Sequence, residues 1–241
     1  MTKIRKTTDP DLAKIMQWLK IENEDGGEGF YGNRNMICEG HDDGDLYALI
    51  EEVTGEPVSF LLNGDVCPYI VEVRPDRRGR GYGRAMAEFM IEYWRQKDAP
   101  VIEIECAPHT SINFWKAMGF EIYAANRAYL IISKSYDLPS DLPVVKVKID
   151  FFPERVKWEE GVEPYHSVEM QARRASKANI KLPRRVFVFE GYRRGDGDPV
   201  VAVNIDGVEI YRDKAKYPDA VSLGVDRSAF GFCIDEIHIN E

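Results

Sequence analysis

Between Val71 and Arg84 the chain reads Val-Glu-Val-Arg-Pro-Asp-Arg-Arg-Gly-Arg-Gly-Tyr-Gly-Arg, an apolar strand run into a glycine-arginine turn and then a helix. Gly79, Gly81 and Gly83 remove side chains where successive N–H groups can converge on one concavity. The helix expected from Arg84 adds its free N–H groups and positive dipole end. Arg77, Arg78, Arg80 and Arg84 surround that cradle with fixed positive charge, and guanidinium groups fork onto phosphate oxygens. Such a turn suits a diphosphate. The bland reading is a connection whose glycines only turn the chain and whose arginines are solvated. A Walker loop would end in Gly-Lys-Ser/Thr, which this sequence lacks. A dinucleotide-binding turn would carry its last glycine where Arg84 stands and its first directly after the strand, where Pro75 to Arg78 intervene. Glu103 and Glu105 do follow about twenty residues later, at the spacing of a ribose-binding acid, so an NAD-dependent oxidoreductase stays among the readings here.

The elements that must position this turn can be read from periodicity. Ile4 to Thr7 reads as a strand, and Asp9-Pro10-Asp11 supplies an N-cap, a proline at the first helical position and a first-turn acid. Leu12, Ile15, Met16 and Leu19 then share one helix face. Glu22 to Gly32 is acidic and glycine-rich, more loop than helix. Strands are expected at Met36 to Glu39, Leu46 to Glu52 and Pro57 to Leu62, with turns at Thr54-Gly55-Glu56 and Asn63-Gly64. Pro68 opens the strand that carries the turn. The following helix puts Ala85, Phe89, Met90 and Tyr93 on one face with Trp94 beside them, a core pattern. Glu121 to Tyr123 with Ala128 to Ser133 reads as a hairpin around Ala125-Asn126.

The pattern Arg78-x-x-Gly81-x-Gly83, preceded by Val71-x-Val73-x-Pro75, resembles the acyl-CoA-binding motif of the GNAT acetyltransferase superfamily. Val101-Ile102-Glu103-Ile104-Glu105 and then Ser111-Ile112-Asn113-Phe114-Trp115-Lys116-Ala117-Met118-Gly119-Phe120 resemble that family's next strand, helix and terminal Gly-Phe. The resemblance covers residues 1–136 and implies an α+β fold, a mixed and mostly antiparallel sheet flanked by helices. It also implies an N-acetyltransferase that takes acetyl-CoA as cosubstrate, with no metal, and transfers the acetyl group to a primary amine, a small cationic amine or a protein amine, by direct attack in a ternary complex. Val71, Val73, Arg78, Gly79, Arg80, Gly81, Tyr82, Gly83, Arg84 and Trp115 are the expected coenzyme A contacts. The backbone near Val71 and Val73 would pair with pantetheine, and a free N–H there would stabilise an oxyanion.

The attacking amine must be neutral, so the reaction wants a base. Glu72 is the first candidate, since on a strand it points away from the face of Val71 and Val73; Glu105 is the alternative. A surface or salt-bridged glutamate is the plain alternative for Glu72. Where many relatives carry a tyrosine that protonates the departing thiolate, this chain has Trp115, and indole cannot donate that proton. A thiol titrates at about 8.5, so its thiolate leaves tolerably near neutral pH. Water, Ser111, Tyr82 and Cys106 are candidate donors. Pro108 stands where an asparagine contacting pantetheine is common. Thr110 and Ser111 are its substitutes or simply cap the helix through Phe114. His109 reads as a surface residue or a base.

Two prolines and two acids in Tyr136 to Pro143 mark a boundary, giving residues 1–136 as the acyl-CoA domain, 137–143 as linker and 144–241 as a mainly-β domain. In the last part strands are expected at Val144 to Phe152, His166 to Gln171, Arg185 to Glu190, Val200 to Ile205, Val208 to Tyr211 and Phe230 to Ile239. Gly195-Asp196-Gly197 and Asp206-Gly207 are turns, and one helical piece falls near Ala172 to Ala178. A small sandwich or barrel follows. Cys38, Cys67, Cys106 and Cys233 lack paired spacing and read as free, packed thiols.

No run is long and apolar enough for a membrane anchor or leader, so a cytoplasmic protein is expected. The formal net charge is −9, and residues 21–56 hold eleven acids against the single Arg34. A field of that sign attracts a cationic amine and repels nucleic acid, or merely keeps the surface solvated. No nucleic acid or membrane partner is expected, and a homodimer is compatible with the chain. The alternative to an enzyme is a catalytically inactive acyl-CoA sensor, for which Trp115 is the hint.

Overall fold

The computed structural model describes residues 2–190 and 197–239 and divides the chain into two compact units, Met1–Leu130 and Ile131–Glu241. In the first, β1 (Thr2–Lys6) leads to α1 (Asp9–Glu24), a 3₁₀ turn (Phe30–Asn33) and α2 (Arg34–Asp42). Then come β2 (Leu46–Glu51), β3 (Glu56–Asn63), β4 (Pro68–Val73) and α3 (Tyr82–Gln96). The unit closes with β5 (Val101–Glu105), α4 (Ile112–Ala117), β6 (Glu121–Ala124) and β7 (Arg127–Ile131). Strands β1 to β4 form an antiparallel sheet in chain order, and β5, β7 and β6 form a second. The α+β class expected for this part is the class observed.

The sequence explains how the elements lock. Thr8, not Asp9, caps α1: the Asp11 carboxylate accepts from the Thr8 amide at 2.8 Å and from its hydroxyl at 2.6 Å. Ile15 and Leu19 are fully buried with Ile37 of α2 against Phe60 and Leu62 of β3. Each such side chain contributes about 1.5–3 kcal/mol of burial.

Met36 to Glu39 is helical in α2, a correction to the expected strand. Ile37 and Gly40, three apart, are its buried residues, and a Cβ on Gly40 would meet Leu62 at 2.1 Å, so the helix lies directly on β3. The expected loop from Glu22 to Gly32 is shorter, because α1 runs to Glu24 and the 3₁₀ turn begins at Phe30. α3 starts at Tyr82 rather than Arg84. Its buried residues are Met86, Ala87, Met90 and Trp94, while Phe89 and Tyr93 pack half-buried on Tyr47; the core face is thus rotated from the one expected.

The second unit is one curled antiparallel sheet in the order β12-β11-β8-β9-β10-β14-β13, not a two-sheet sandwich. Its strands are β8 (Val144–Phe152), β9 (His166–Arg174), β10 (Asn179–Phe189), β11 (Val200–Ile205), β12 (Val208–Lys214), β13 (Asp226–Ser228) and β14 (Gly231–His238). α5 (Pro218–Leu223) adds Ala220 and Leu223 to the core of Ile149, Phe151, Val203 and Ile234. The helix expected near Ala172 to Ala178 is absent: Ala172 alternates inward on β9, and the chain turns at Ala175 back to Asn179. Asp206 and Gly207 make the expected turn, both with positive φ. Of the other expected turn, Gly195 and Asp196 lie outside the described residues. All four cysteines are free, Cys106 buried and the rest half-buried. Among the described residues no helix is long and apolar enough to cross a membrane.

Candidate active site

β4 is the last strand of its sheet, and its outer edge opens on a cleft of about 1090 Å³. The Arg74 amide donates to the Val58 carbonyl at 3.0 Å, and Phe60 stands opposite Glu72. Strand alternation therefore turns the backbone groups of Glu72 toward β3 and those of Val71 and Val73 toward the cleft. Ser59 Oγ confirms the first part, donating to the Glu72 carbonyl at 2.7 Å.

The side chain of Glu72 leaves the opposite face of the strand from Val71 and Val73 and is buried. It meets Glu22, at the end of α1. Arg78 Nη2 donates to Glu22 Oε1 at 2.9 Å and lies 3.5 Å from Glu72 Oε1; the Phe30 amide donates to Glu72 Oε2 at 3.3 Å. Burial and then the adjacent Glu22 carboxyl push the Glu72 carboxyl up to about 8, against the weaker opposite pull of Phe30 and Arg78. Glu22 was legible only as one acid in an acidic stretch; its pairing with Glu72 depends on the return of β4 beside the end of α1.

The turn after β4 has the conformation its glycines permit. Gly79 and Gly81 have φ of +75° and +86°, and a Cβ on either would meet nothing within 4 Å, so the rim is open and the glycines serve the backbone. Gly81 caps α3 without a side-chain bond, leaving the first amides of the helix without intrahelical acceptors. The arginines divide. Arg78 turns to the carboxyl pair and donates from Nε to the Val73 carbonyl at 3.0 Å. Arg77 lies 3.5 Å from Glu51, Arg84 pairs with Glu88 on its own helix, and Arg80 is exposed. Tyr82 donates its hydroxyl to Glu51 at 2.9 Å, which holds its proton more firmly than in a free phenol.

The far wall comes from β5 and α4. Glu105 ends β5 exposed and accepts from Asn126 at 2.9 Å, without the burial that Glu72 has. Buried Glu103 accepts instead from Tyr123 and, at 3.0 Å, from Arg127. Ser111 lines the cleft, and its hydroxyl is buried with no hydrogen-bond partner among the described residues. Trp115 also reaches the cleft, but is buried edge-on between Phe114 and Phe120, with ring centroids 4.9 and 5.2 Å away. Burial, followed by Glu105, raises the Cys106 thiol above its ordinary range.

Residues 12–120 match the acetyltransferase (GNAT) family. Among curated proteins none matches this sequence. Solved structures that resemble it include Ard1 from Thermoplasma volcanium, 18% identical over 54% of this chain and 97% of that one, TM-score 0.42. Another is the ribosomal-protein-S18-alanine N-acetyltransferase from Escherichia coli, 16% identical over 59% and 99%, TM-score 0.40. The family match supports neither the sensor reading nor the nicotinamide reading.

Proposed function

We propose, from the match of residues 12–120 to the acetyltransferase (GNAT) family, that the chain acetylates a primary amine that reaches the cleft as a cation. The family implies acyl-CoA as acetyl donor. The observation that carries the amine is the buried Glu72 carboxyl, raised to about 8, in the same cleft as the open edge of β4.

The residues present fit the donor. The open rim at Gly79 and Gly81 and the first amides of α3 suit its diphosphate, with Arg80 and Arg84 beside them. The outward groups of Val71 and the outward amide of Val73 suit an extended amide chain laid along β4, as a neighbouring strand would lie, the Val73 carbonyl being taken by Arg78. When bound, the donor supplies a thioester carbonyl open to attack by an amine.

What the chain itself does is bind and move a proton. A carboxyl that titrates at about 8 lies much nearer an alkylammonium than an ordinary glutamate does, so Glu72 takes the acceptor's proton at smaller cost. Burial that raises its proton affinity also strengthens its attraction for an incoming cation. Glu105, exposed and bonded to Asn126, has no comparable setting.

Two measurements test this. Calorimetry should detect binding of acetyl-CoA and none of NADH; the reverse result overturns the reading. Thiol release from acetyl-CoA across a panel of primary amines should then find a substrate. Tight coenzyme binding with no release across a broad panel would favour the sensor.

A further inference from the structure

Glu22 and Glu72 compete for one guanidinium nitrogen. Arg78 Nη2 lies 2.9 Å from the first and 3.5 Å from the second, while the two side chains are only 8% and 4% exposed. Glu22 Oε2 is buried and has no hydrogen-bond donor among the described residues. The loop over the pair is closed tightly: a Cβ on Gly27 would lie 2.5 Å from Glu22 Cγ, and one on Gly29 would lie 2.6 Å from Glu22 Oε2 and 3.3 Å from Glu72 Oε1. The groups facing Glu72 are Glu22 from α1, the Phe30 amide from the 3₁₀ turn and Arg78 from the turn after β4, with Glu28 lining the same cleft.

Two ionised carboxylates against one guanidinium would leave a buried negative charge and an orphaned oxygen, and both are costly. A single proton removes both costs. One carboxylic acid, one carboxylate and one guanidinium are neutral together, and the acid O–H is the donor that Glu22 Oε2 lacks.

We propose that Glu22 is a positioning residue of the transfer reaction: with Glu72 it forms a two-carboxyl unit that holds one proton, and Glu22 sets how firmly Glu72 keeps it. The inference rests on the acetyl-transfer reading above. An arriving ammonium replaces that proton as the cation between the carboxylates, and the proton leaves to solvent. The N–H bond of the ammonium then breaks, its electron pair stays on nitrogen for the attack, and its proton goes to the Glu72 oxygen. The unit thus returns to its one-proton state.

Carbon-13 NMR of the glutamate carboxyls in the full chain, assigned with Glu22→Gln and Glu72→Gln, tests it by titration from the ordinary carboxylate range to about pH 10. In the unaltered chain the Glu72 signal should move in one late step. In Glu22→Gln the Glu72 midpoint should fall by about two units or more, while Glu22→Asp keeps a late step. With a competent amine, the alkaline rise of kcat/KM should move down by the same amount. An unchanged Glu72 midpoint in Glu22→Gln overturns the proposal. A late Glu72 step that depends on Glu22, with no thiol release from any amine at any pH, instead overturns the transferase reading, and with it the role of Glu22 in transfer.

Discussion

Arg78 donates from Nε to the carbonyl of Val73, 3.0 Å away, and so occupies a backbone acceptor on the open edge of β4. Its Nη2 faces Glu22 and Glu72. The arginine that opens the glycine motif is therefore turned toward the carboxyls rather than toward the rim, where exposed Arg80 remains. Arg80→Ala should weaken coenzyme A binding about tenfold, the scale of one charge-assisted contact. Arg78→Ala should act chiefly on the carboxyls, raising the Glu72 midpoint above about 8 because it removes the nearest positive charge. Calorimetry with coenzyme A and a pH–rate profile separate the two effects. Equal losses of affinity with an unmoved profile would return Arg78 to the cradle.

Glu72→Gln tests both activity and stability. A base works only when deprotonated, so the rate of the unaltered chain should rise with pH through about 8. The variant should be slower by roughly 10²-fold or more below that point, and less impaired above it as free amine accumulates. For stability, the folded carboxyl binds its proton more firmly than the unfolded one, whose reference value is 4.5. Its favourable contribution is therefore complete below that value and is lost as pH rises through about 8. Glutamine carries no charge to bury, so the variant should melt with the parent in acid and several degrees above it at alkaline pH, at about 2–4 °C per kcal/mol. Thermal melts across that range decide, and a difference independent of pH would refute the assignment.

Local signals carried far in this chain. The apolar runs at Leu46 and Pro57, the glycine turn and the hairpin around Ala125-Asn126 lie where periodicity and turn chemistry place them, because each is settled by residues close in sequence. Met36 to Glu39 misled for the same reason. Four residues cannot distinguish strand from helix, and the deciding contact, Gly40 against Leu62, comes from a distant strand. Ala172 to Ala178 has helix formers, but pairing with β8 and β10 overrides propensity. The site divides similarly. Strand parity places Glu72, whereas the pairing of Glu22 with Arg78, 56 residues later, is a property of the assembled fold.

Two glycines of the site should respond in opposite ways to alanine. Gly29 has φ −78°, which any residue adopts, so Gly29→Ala acts only through its Cβ, placed 2.6 Å from Glu22 Oε2 and 2.8 Å from Glu22 Cδ. Glu22 must move, and the late Glu72 titration should shift toward the carboxylate range. Gly83→Ala would put its Cβ 3.5 Å from Val73 and 3.6 Å from Phe114, ordinary contact distances. Within a helix alanine is favoured over glycine by up to about 1 kcal/mol, so the variant should be at least as stable. NMR titration of the first and thermal melts of the second check the pair.

Ser111→Ala addresses the leaving group. Trp115 is packed between Phe114 and Phe120 and has no hydroxyl to offer, whereas Ser111 presents to the cleft wall a buried hydroxyl without a partner among the described residues. An unpaired buried hydroxyl contributes no bond to the folded state, so its removal should leave stability within about 0.5 kcal/mol or raise it slightly. If that hydroxyl bonds to the departing sulfur, the bond is strongest once the sulfur carries charge. The loss should therefore fall on kcat, by roughly tenfold, with little change in the KM for acetyl-CoA. Ser111→Thr retains the hydroxyl and should recover part of the rate. Steady-state thiol release by the three forms measures this. An unaltered kcat in Ser111→Ala would mean that the thiolate departs without help from Ser111, as a leaving group of pKa about 8.5 can.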